Sequence, residues 1–129
     1  MLVKDLKIIE FELSSRCNAR CPGCERTFKG ETHPDLQLND ITLARYKKIL
    51  PSKEYIENKE ISYCGVMGDP LVNPEFYEIC EYTLSMDPDV ITVSTNGGLR
   101  SKEYWTKLGT LSSKDPKLAM TFAVDGFEK

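Results

Sequence analysis

The feature that most constrains the fold is a strand–loop–helix pattern that recurs along the 129-residue chain. Short runs rich in β-branched and aromatic residues indicate strands, and they lie at 7–13, 60–64, 90–95 and 117–124. Amphipathic segments follow the first three runs. Strands that alternate with helices indicate parallel βαβ units. The sequence therefore predicts an α/β fold in a single domain, residues 1–129.

Capping and stop residues place the three predicted helices, since short polar side chains favour helix starts and proline ends a helix. The predicted helices are 40–50 (cap Asn39 or Asp40, stop Pro51), 74–86 (cap Asn73, first residue Pro74) and one that begins at a Ser101 cap.

Each predicted strand has one apolar face, because successive side chains of a strand point to opposite sides. In the first strand Ile9, Phe11 and Leu13 share a face. Glu10 and Glu12 lie on the other face, where they fit either a solvated edge or a substrate contact. We expect the apolar faces to pack under the helices and the polar faces to line a shared concave surface.

The unusual segments of the chain all follow strand ends. They read "SSRCNARC", "GVMGDP", "STNGG" and "VDGF". In parallel α/β folds the carboxyl ends of the strands form the rim where ligands bind. The sequence therefore predicts a ligand site built from these four segments, although each alone is also an ordinary turn signal.

Three of the five cysteines lie within eight residues, as Cys17, Cys21 and Cys24 in "CNARCPGC". Thiolates at this spacing can hold zinc or an iron–sulfur cluster, and the spacing alone does not separate the two. Structural zinc needs a fourth ligand, whereas a four-iron cluster on three cysteines leaves one iron open. The candidates for a fourth ligand are Cys64, Cys80 and His33, of which Cys80 fits a core thiol and His33 a solvated loop.

Charge and hydropathy exclude several classes of protein. The net charge of −3 comes with no basic stripe, which argues against a nucleic-acid partner. No apolar run is long enough for a membrane span, and the N-terminus lacks a secretory signal pattern. We expect a cytoplasmic protein whose thiols stay reduced.

Taken together, the segments resemble a known superfamily. "CNARCPGC" after the first strand resembles the CxxxCxxC signature of radical S-adenosylmethionine (radical SAM) proteins. "GVMGDPLVNP" is similar to the GGEP-type motif of that superfamily, "STNGG" to its third strand-end motif and "AVDGF" to its S-[IV]-D-G segment. The resemblance covers residues 7–127 and is strongest to the branch whose members often carry a SPASM or twitch extension.

The resemblance implies a fold, two cofactors and a reaction. The fold is a partial (β/α)6 barrel, of which this chain would form about four βα units. The cofactors are a 4Fe-4S cluster and SAM, and reductive cleavage of SAM yields a 5′-deoxyadenosyl radical that abstracts hydrogen from a substrate. An oxidoreductase of this kind takes electrons from a donor such as flavodoxin or ferredoxin. Its substrate is unidentified, and the SPASM-like branch suggests a peptide.

The resemblance also assigns roles to individual residues. Three cysteines become the cluster ligands, and the glycine-rich turn contacts the SAM amino group largely through backbone carbonyls. The implied sets are Cys17, Cys21 and Cys24 for the cluster, and Gly23, Gly68, Asp69, Pro70, Ser94, Thr95, Asn96 and Asp125 for SAM.

The sequence departs from the family pattern at several positions. Gly23 stands where an aromatic residue is usual, Asp69 replaces the commoner Glu, and Ala123 replaces a frequent Ser. The family barrel normally continues through two more βα units. We therefore expect this chain to be part of a longer protein, one half of a split enzyme, or a metal-binding module, with zinc or iron–sulfur, that does not catalyse.

Overall fold

Four parallel strands form the central sheet of the structure, a computed structural model that describes residues 2–123. The strands of the chain are β1 (Ile8–Phe11), β2 (Thr27–Phe28), β3 (Glu31–Thr32), β4 (Glu60–Tyr63), β5 (Val90–Thr95) and β6 (Leu118–Phe122). The helices are α1 (Leu43–Ile49), α2 (Phe76–Ser85) and α3 (Lys102–Lys114). The sheet has the order β1-β4-β5-β6, and all its neighbours are parallel. The α/β fold class is confirmed.

The register aligns like residues across the sheet. Ile9, Ile61, Ile91 and Leu118 form one continuous row of partners, and all four are buried. On the opposite face the row from Glu10 passes through a serine and a threonine to an alanine. The two faces of the sheet therefore differ in polarity, as the alternation along each strand predicts.

The core lies between the apolar face of the sheet and the helices. It includes Leu13, Tyr46, Leu50, Ile61, Tyr63, Phe76, Ile79, Cys80, Ile91, Val93, Leu108 and Leu118. Cys80 has no exposed surface, and burial raises the pKa of its thiol well above the usual range. A thiol in such surroundings behaves as a small apolar side chain.

The start of α1 differs from the prediction. The helix begins at Leu43, and the hydroxyl of Thr42 accepts the backbone N–H of Arg45 at 3.2 Å. Neither Asn39 nor Asp40 caps it. The carboxylate of Asp40 instead accepts a hydrogen bond from a serine hydroxyl 26 residues away, so a tertiary contact takes the side chain that local preference assigned to the cap.

The start of α2 also differs. A 3-10 turn over Pro70–Val72 comes first, and the helix begins at Phe76 rather than at Pro74. Asn73 is fully buried, and its amide oxygen accepts the backbone N–H of Glu75 at 2.8 Å. The α3 helix, by contrast, follows the Ser101 cap as predicted.

A small hairpin interrupts the predicted loop after the cysteines. Strands β2 and β3 pair antiparallel around Lys29 and Gly30, which both have positive φ, 52° and 84°. Two consecutive positive φ values are the signature of a tight hairpin turn.

The last strand, β6, lies at one edge of the central sheet within the described residues. Phe122 stacks on Trp105 with ring centroids 5.7 Å apart but stays 51% exposed, so it packs less completely than predicted. The predicted end of this strand at Val124 lies outside the described residues. No helix within residues 2–123 is long and apolar enough to cross a membrane.

Candidate metal and cofactor site

A cavity of about 310 Å³ lies at the carboxyl ends of the parallel strands. This volume is at the lower end of the range for small-molecule sites. The segments that follow β1, β4 and β5 all reach it. Its lining, called the thiol cavity below, consists of Cys17, Ala19, Cys21, Cys24, Arg26, Cys64, Gly65, Val66, Gly68, Asp69, Ser94, Thr95, Asn96 and Ala123.

The structure brings most of the predicted site residues together in the thiol cavity. The three cysteines, Gly68, Asp69 and the strand-end residues of β5 all line it. Gly23 is exposed and Pro70 is buried at the start of a 3-10 turn, and neither lines the cavity. Asp125 and its "VDGF" segment lie outside the described residues.

Backbone hydrogen bonds shape the cysteine loop. The N–H of Cys24 donates to the carbonyl of Cys21 at 3.1 Å, and the N–H of Thr27 donates to the carbonyl of Cys24 at 2.8 Å. The N–H of Ala19 points at the sulfur of Cys17 at 3.4 Å. This N–H and the two backbone bonds hold the segment around the cysteines in a compact turn.

Polar side chains hold the start of this loop. The hydroxyl of Ser14 donates to the carboxylate of Asp40 at 2.6 Å and accepts the N–H of Arg16 at 3.0 Å. The guanidinium of Arg16 pairs with the same carboxylate at 3.2 Å. Ser15 donates to the carbonyl of Gln37 at 2.7 Å. The chain therefore enters the cysteine segment in a fixed direction.

The glycine-rich turn after β4 presses directly against this loop. A Cβ on Gly68 would lie 1.9 Å from the carbonyl oxygen of Ser14, a distance that no side chain tolerates. The next residue, Asp69, donates its N–H to the carbonyl of Arg16 at 2.8 Å. Glycine is thus required here for close approach of two backbones.

The carboxylate of Asp69 is turned inward. It is 4% exposed and accepts the Thr95 hydroxyl at 2.9 Å, the Asn96 N–H at 2.8 Å and the Leu71 N–H at 3.0 Å. These bonds tie the turn after β4 to the end of β5. The predicted contact of this segment with SAM, largely through backbone carbonyls, stays a prediction.

Asn96 reaches across to the cysteine loop. Its side-chain amide donates to the Oδ1 of Asn18 at 2.9 Å and lies 3.6 Å from the sulfur of Cys17. Thr95 is buried, with its hydroxyl on Asp69, whereas Ser94 is exposed toward the cavity. At this strand end Ser94 is therefore exposed, whereas Asn96 is half-buried.

Among the fourth-ligand candidates, Cys64 lines the thiol cavity and Cys80 is buried in the core. His33 does not line it, and its ring packs on Phe28 with centroids 5.3 Å apart. In the stretch from residue 2 to 123, no three Cys, His, Asp or Glu side chains converge on one point closely enough for a single metal ion.

Glu12 is exposed beyond the end of the edge strand β1, and it also contacts the turn after β4. Its carboxylate accepts the backbone N–H of Met67, so it helps to hold the segment after β4. Glu10 is exposed on the polar face of the sheet. Both residues are thus exposed on the edge strand side, and a substrate contact stays a prediction.

Two arginines near the site carry no motif that marks them in the sequence. Arg26 donates to the carbonyl of Met67 at 2.7 Å from the wall of the thiol cavity. Arg100 donates to the carbonyls of Leu71 and Asn73, each at 2.7 Å. The only sequence signal for Arg26 is its position two residues after the third cysteine.

No family model matches the chain. A curated relative from Pyrococcus furiosus, the tungsten-containing aldehyde ferredoxin oxidoreductase cofactor-modifying protein, is 30% identical over 106 residues. The match covers 82% of this chain and 28% of the relative, so the chain spans less than a third of that protein's length.

Among solved structures, BtrN in complex with AdoMet and 2-DOIA aligns with 89% of this chain and 56% of its own. The TM-score is 0.44 and the sequence identity is 14%.

Proposed function

We propose that this chain is the cluster-binding core of a radical SAM enzyme. It would hold a 4Fe-4S cluster through Cys17, Cys21 and Cys24 and bind SAM at the strand-end rim. The observation that carries the proposal is the thiol cavity, where the three cysteines meet the Gly68–Asp69 turn and the end of β5. Four segments far apart in sequence resemble the motifs of one superfamily. Three of them line this one cavity, together with Ala123 at the start of the fourth.

The chemistry of the donors fits a cluster. Thiolates are the preferred ligands of iron–sulfur centres. In a four-iron cluster each thiolate binds a different iron, so the sulfurs stand further apart than around one zinc ion. Cys17, Cys21 and Cys24 line one cavity of about 310 Å³, which suits a group larger than a single ion. Three cysteines would leave the fourth iron open to SAM.

In this proposal the residues of the chain bind, orient and shield the cluster and SAM. The amide of Asn96 beside Cys17 donates toward a ligand sulfur, and the Gly68–Asp69 turn provides backbone atoms at the rim. The hydrogen bonds from Thr95 and Asn96 to Asp69 keep that turn in place. The cluster and SAM, when bound, supply the reductive cleavage that yields a 5′-deoxyadenosyl radical for hydrogen abstraction.

Two substrate classes merit a test. A peptide follows from the resemblance to the SPASM-like branch. The cofactor of another enzyme follows from the role that the name of the Pyrococcus furiosus relative gives. The substrate can be assayed once SAM cleavage is measured, by following deuterium from labelled candidates into 5′-deoxyadenosine.

Anaerobic reconstitution with iron and sulfide tests the proposal. We expect about four irons and four sulfides per chain, as in a 4Fe-4S centre, with broad absorbance that dithionite bleaches. A Cys17, Cys21 and Cys24 triple alanine variant should lose this cluster, while Cys64→Ser should keep it. A wild-type protein that binds no iron, or a triple variant that keeps its cluster, contradicts the proposal.

A zinc-binding module without catalysis is the second candidate, and Cys64 is the observation in its favour. This thiol lines the same cavity as the other three and could complete a four-thiolate site. Metal analysis of aerobically purified protein separates the candidates. One zinc per chain that disappears in Cys64→Ser would support the module, whereas iron and sulfide that persist in that variant support the cluster.

A further inference from the structure

Arg26 is a buried arginine that lines the thiol cavity. Its residue is 5% exposed, and it lines the cavity together with the three cysteines of the CxxxCxxC segment. Arginine keeps its charge at any pH that a folded protein survives. The cavity therefore carries a permanent positive charge beside its thiols.

Within residues 2–123 this charge has no carboxylate partner. The other two arginines of the same loop do have one, since Arg16 pairs with Asp40 at 3.2 Å and Arg20 with Glu31 at 3.0 Å. A buried charge without a counter-charge is unfavourable, so proteins almost always pair such a group. An anion in the cavity would supply the missing partner.

The position of the guanidinium is fixed. Its Nε donates to the carbonyl of Met67 at 2.7 Å, and one Nη lies 3.4 Å from the carbonyl of Ser15. The backbone carbonyl of Arg26 accepts the N–H of His33 at 2.7 Å. These contacts join the turn after β4, the start of the cysteine loop and the end of the β2–β3 hairpin. The guanidinium cannot swing away without breaking its bonds to the carbonyls of Met67 and Ser15.

We propose that Arg26 is the counter-charge of the iron–sulfur cluster and raises its reduction potential. The inference rests on the proposed function, because it takes the cluster to be held by Cys17, Cys21 and Cys24. One-electron reduction adds a negative charge to the cluster and breaks no bond. A fixed cation stabilises the reduced form more than the oxidised form, and cluster potentials follow the local charge and hydrogen bonding. Arg26 is thus a positioning and tuning residue, not a ligand.

A redox titration monitored by electron paramagnetic resonance, with dithionite as the electron source, tests this on the reconstituted protein. In Arg26→Gln we expect the ratio of reduced to oxidised cluster at a fixed potential to fall about tenfold, which is a midpoint about 59 mV lower for one electron. Arg26→Lys keeps the charge and should recover most of that shift. Arg20→Gln is the matched control, since Arg20 is 65% exposed and outside the cavity. Its midpoint should equal that of the wild type.

Each outcome decides the proposal. A full cluster in Arg26→Gln with the wild-type midpoint overturns it, as does an Arg26→Lys midpoint equal to that of Arg26→Gln. If Arg26→Gln takes up no cluster while Arg26→Lys does, and both apoproteins melt like the wild type, the charge is needed for binding and the proposal stands. If neither variant takes up a cluster although both fold, the side chain shapes the loop and the proposal is overturned. Absence of a cluster in the wild type overturns the proposed function instead.

Discussion

At the scale of single residues, the carboxylate of Asp69 bonds to other parts of the chain. Asp69 accepts hydrogen bonds from Thr95, Asn96 and Leu71, and it is almost fully buried. Hydrogen bonds to a buried charge are worth more than neutral ones. Asp69 stands where Glu is commoner in this motif. Its shorter side chain is therefore consistent with a carboxylate that bonds within the protein.

Asp69→Asn should lower the free energy of unfolding by about 2 kcal/mol, because an amide cannot accept all three donors and leaves one unpaired. Urea denaturation followed by circular dichroism measures the change. Thr95→Val is the comparison, and we expect about 1–2 kcal/mol, since it removes one donor to Asp69 and the acceptor of the Gly97 N–H. Equal unfolding midpoints for Asp69→Asn and the wild type would show that these bonds do not hold the turn.

Gly68→Ala should be among the most damaging single changes. Its Cβ would lie 1.9 Å from the carbonyl oxygen of Ser14, so one of two packed backbones must move, at a cost of about 3 kcal/mol. Gly23→Ala is the matched control, because no atom outside its chain neighbours lies within 4 Å of a Cβ there. Thermal melts of the two apoproteins should differ clearly, and a Gly68→Ala melt like that of Gly23→Ala contradicts the close approach.

At the scale of elements, the segment between β4 and α2 is held from two sides. The buried amide of Asn73 donates to the carbonyls of Leu13 and Ile41, each at 2.8 Å. Arg100 donates from the loop after β5 to the carbonyls of Leu71 and Asn73. The turn is therefore fixed relative to the end of β1 and the start of α3. The segments that line the thiol cavity keep their relative positions as a result.

Asn73→Ala should cost about 2–3 kcal/mol of unfolding free energy, because the carbonyls of Leu13 and Ile41 each lose a donor and the Glu75 N–H loses its acceptor. Urea denaturation of the apoprotein measures this. Asn18→Ala offers the control, since Asn18 is exposed and its change should stay within about 0.5 kcal/mol. A loss in Asn73→Ala no larger than in Asn18→Ala would mean that water replaces the buried amide.

The elements that the sequence predicts well are those fixed by local pattern. The strand at 90–95 is confirmed with both ends, because Ile91 and Val93 alternate with polar residues. Helix starts were harder. Asp40, chosen as a cap, bonds to Ser14 instead. Asn73 keeps a local bond to the Glu75 N–H, but its amide also reaches the carbonyls of Leu13 and Ile41, and the helix begins three residues later. Local preference contains no information about such long-range partners.

At the scale of the whole molecule, the sequence could predict that three segments meet. These are the cysteine loop, the Gly68–Asp69 turn and the end of β5. Parallel strands place their carboxyl ends along one edge, so motifs at strand ends must come together. The inward turn of Asp69 and the burial of Arg26 could not, because both depend on which backbone carbonyls and hydroxyls lie opposite them in the folded chain.

The core beneath the sheet contains a cluster of hydroxyl groups. The hydroxyls of Tyr46 and Tyr63 lie 2.8 Å apart, and Tyr63 lies 2.7 Å from the hydroxyl of Thr83. Thr83 in turn donates to the carbonyl of Ile79 at 2.8 Å. All these groups are buried and mutually bonded. The network joins α1, α2 and β4, and it depends on both phenols keeping their protons.

Global stability should therefore fall at high pH. Burial raises the pKa of Tyr46 from 10.0 to about 12 and raises the pKa of Tyr63 well above its usual value. Below pH 10 both phenols are protonated in the folded and the unfolded chain, and their contribution is fully present. Between about pH 10 and 12 the unfolded chain releases protons that the folded chain keeps, so rising pH favours unfolding. For Tyr46 the shift of about two pKa units corresponds to about 2–3 kcal/mol.

Urea denaturation at a series of pH values from 8 to about 11.5 measures this slope. Tyr63→Phe removes one of the two phenols, so its unfolding free energy should fall less steeply with pH. Phe76→Leu is the control, because Phe76 packs on Tyr63 with ring centroids 6.2 Å apart and has no proton to lose. It should lower stability equally at every pH. Parallel pH profiles for the wild type and Tyr63→Phe would mean that the phenol of Tyr63 titrates alike in both states, and the buried hydroxyl network would then not govern alkaline unfolding.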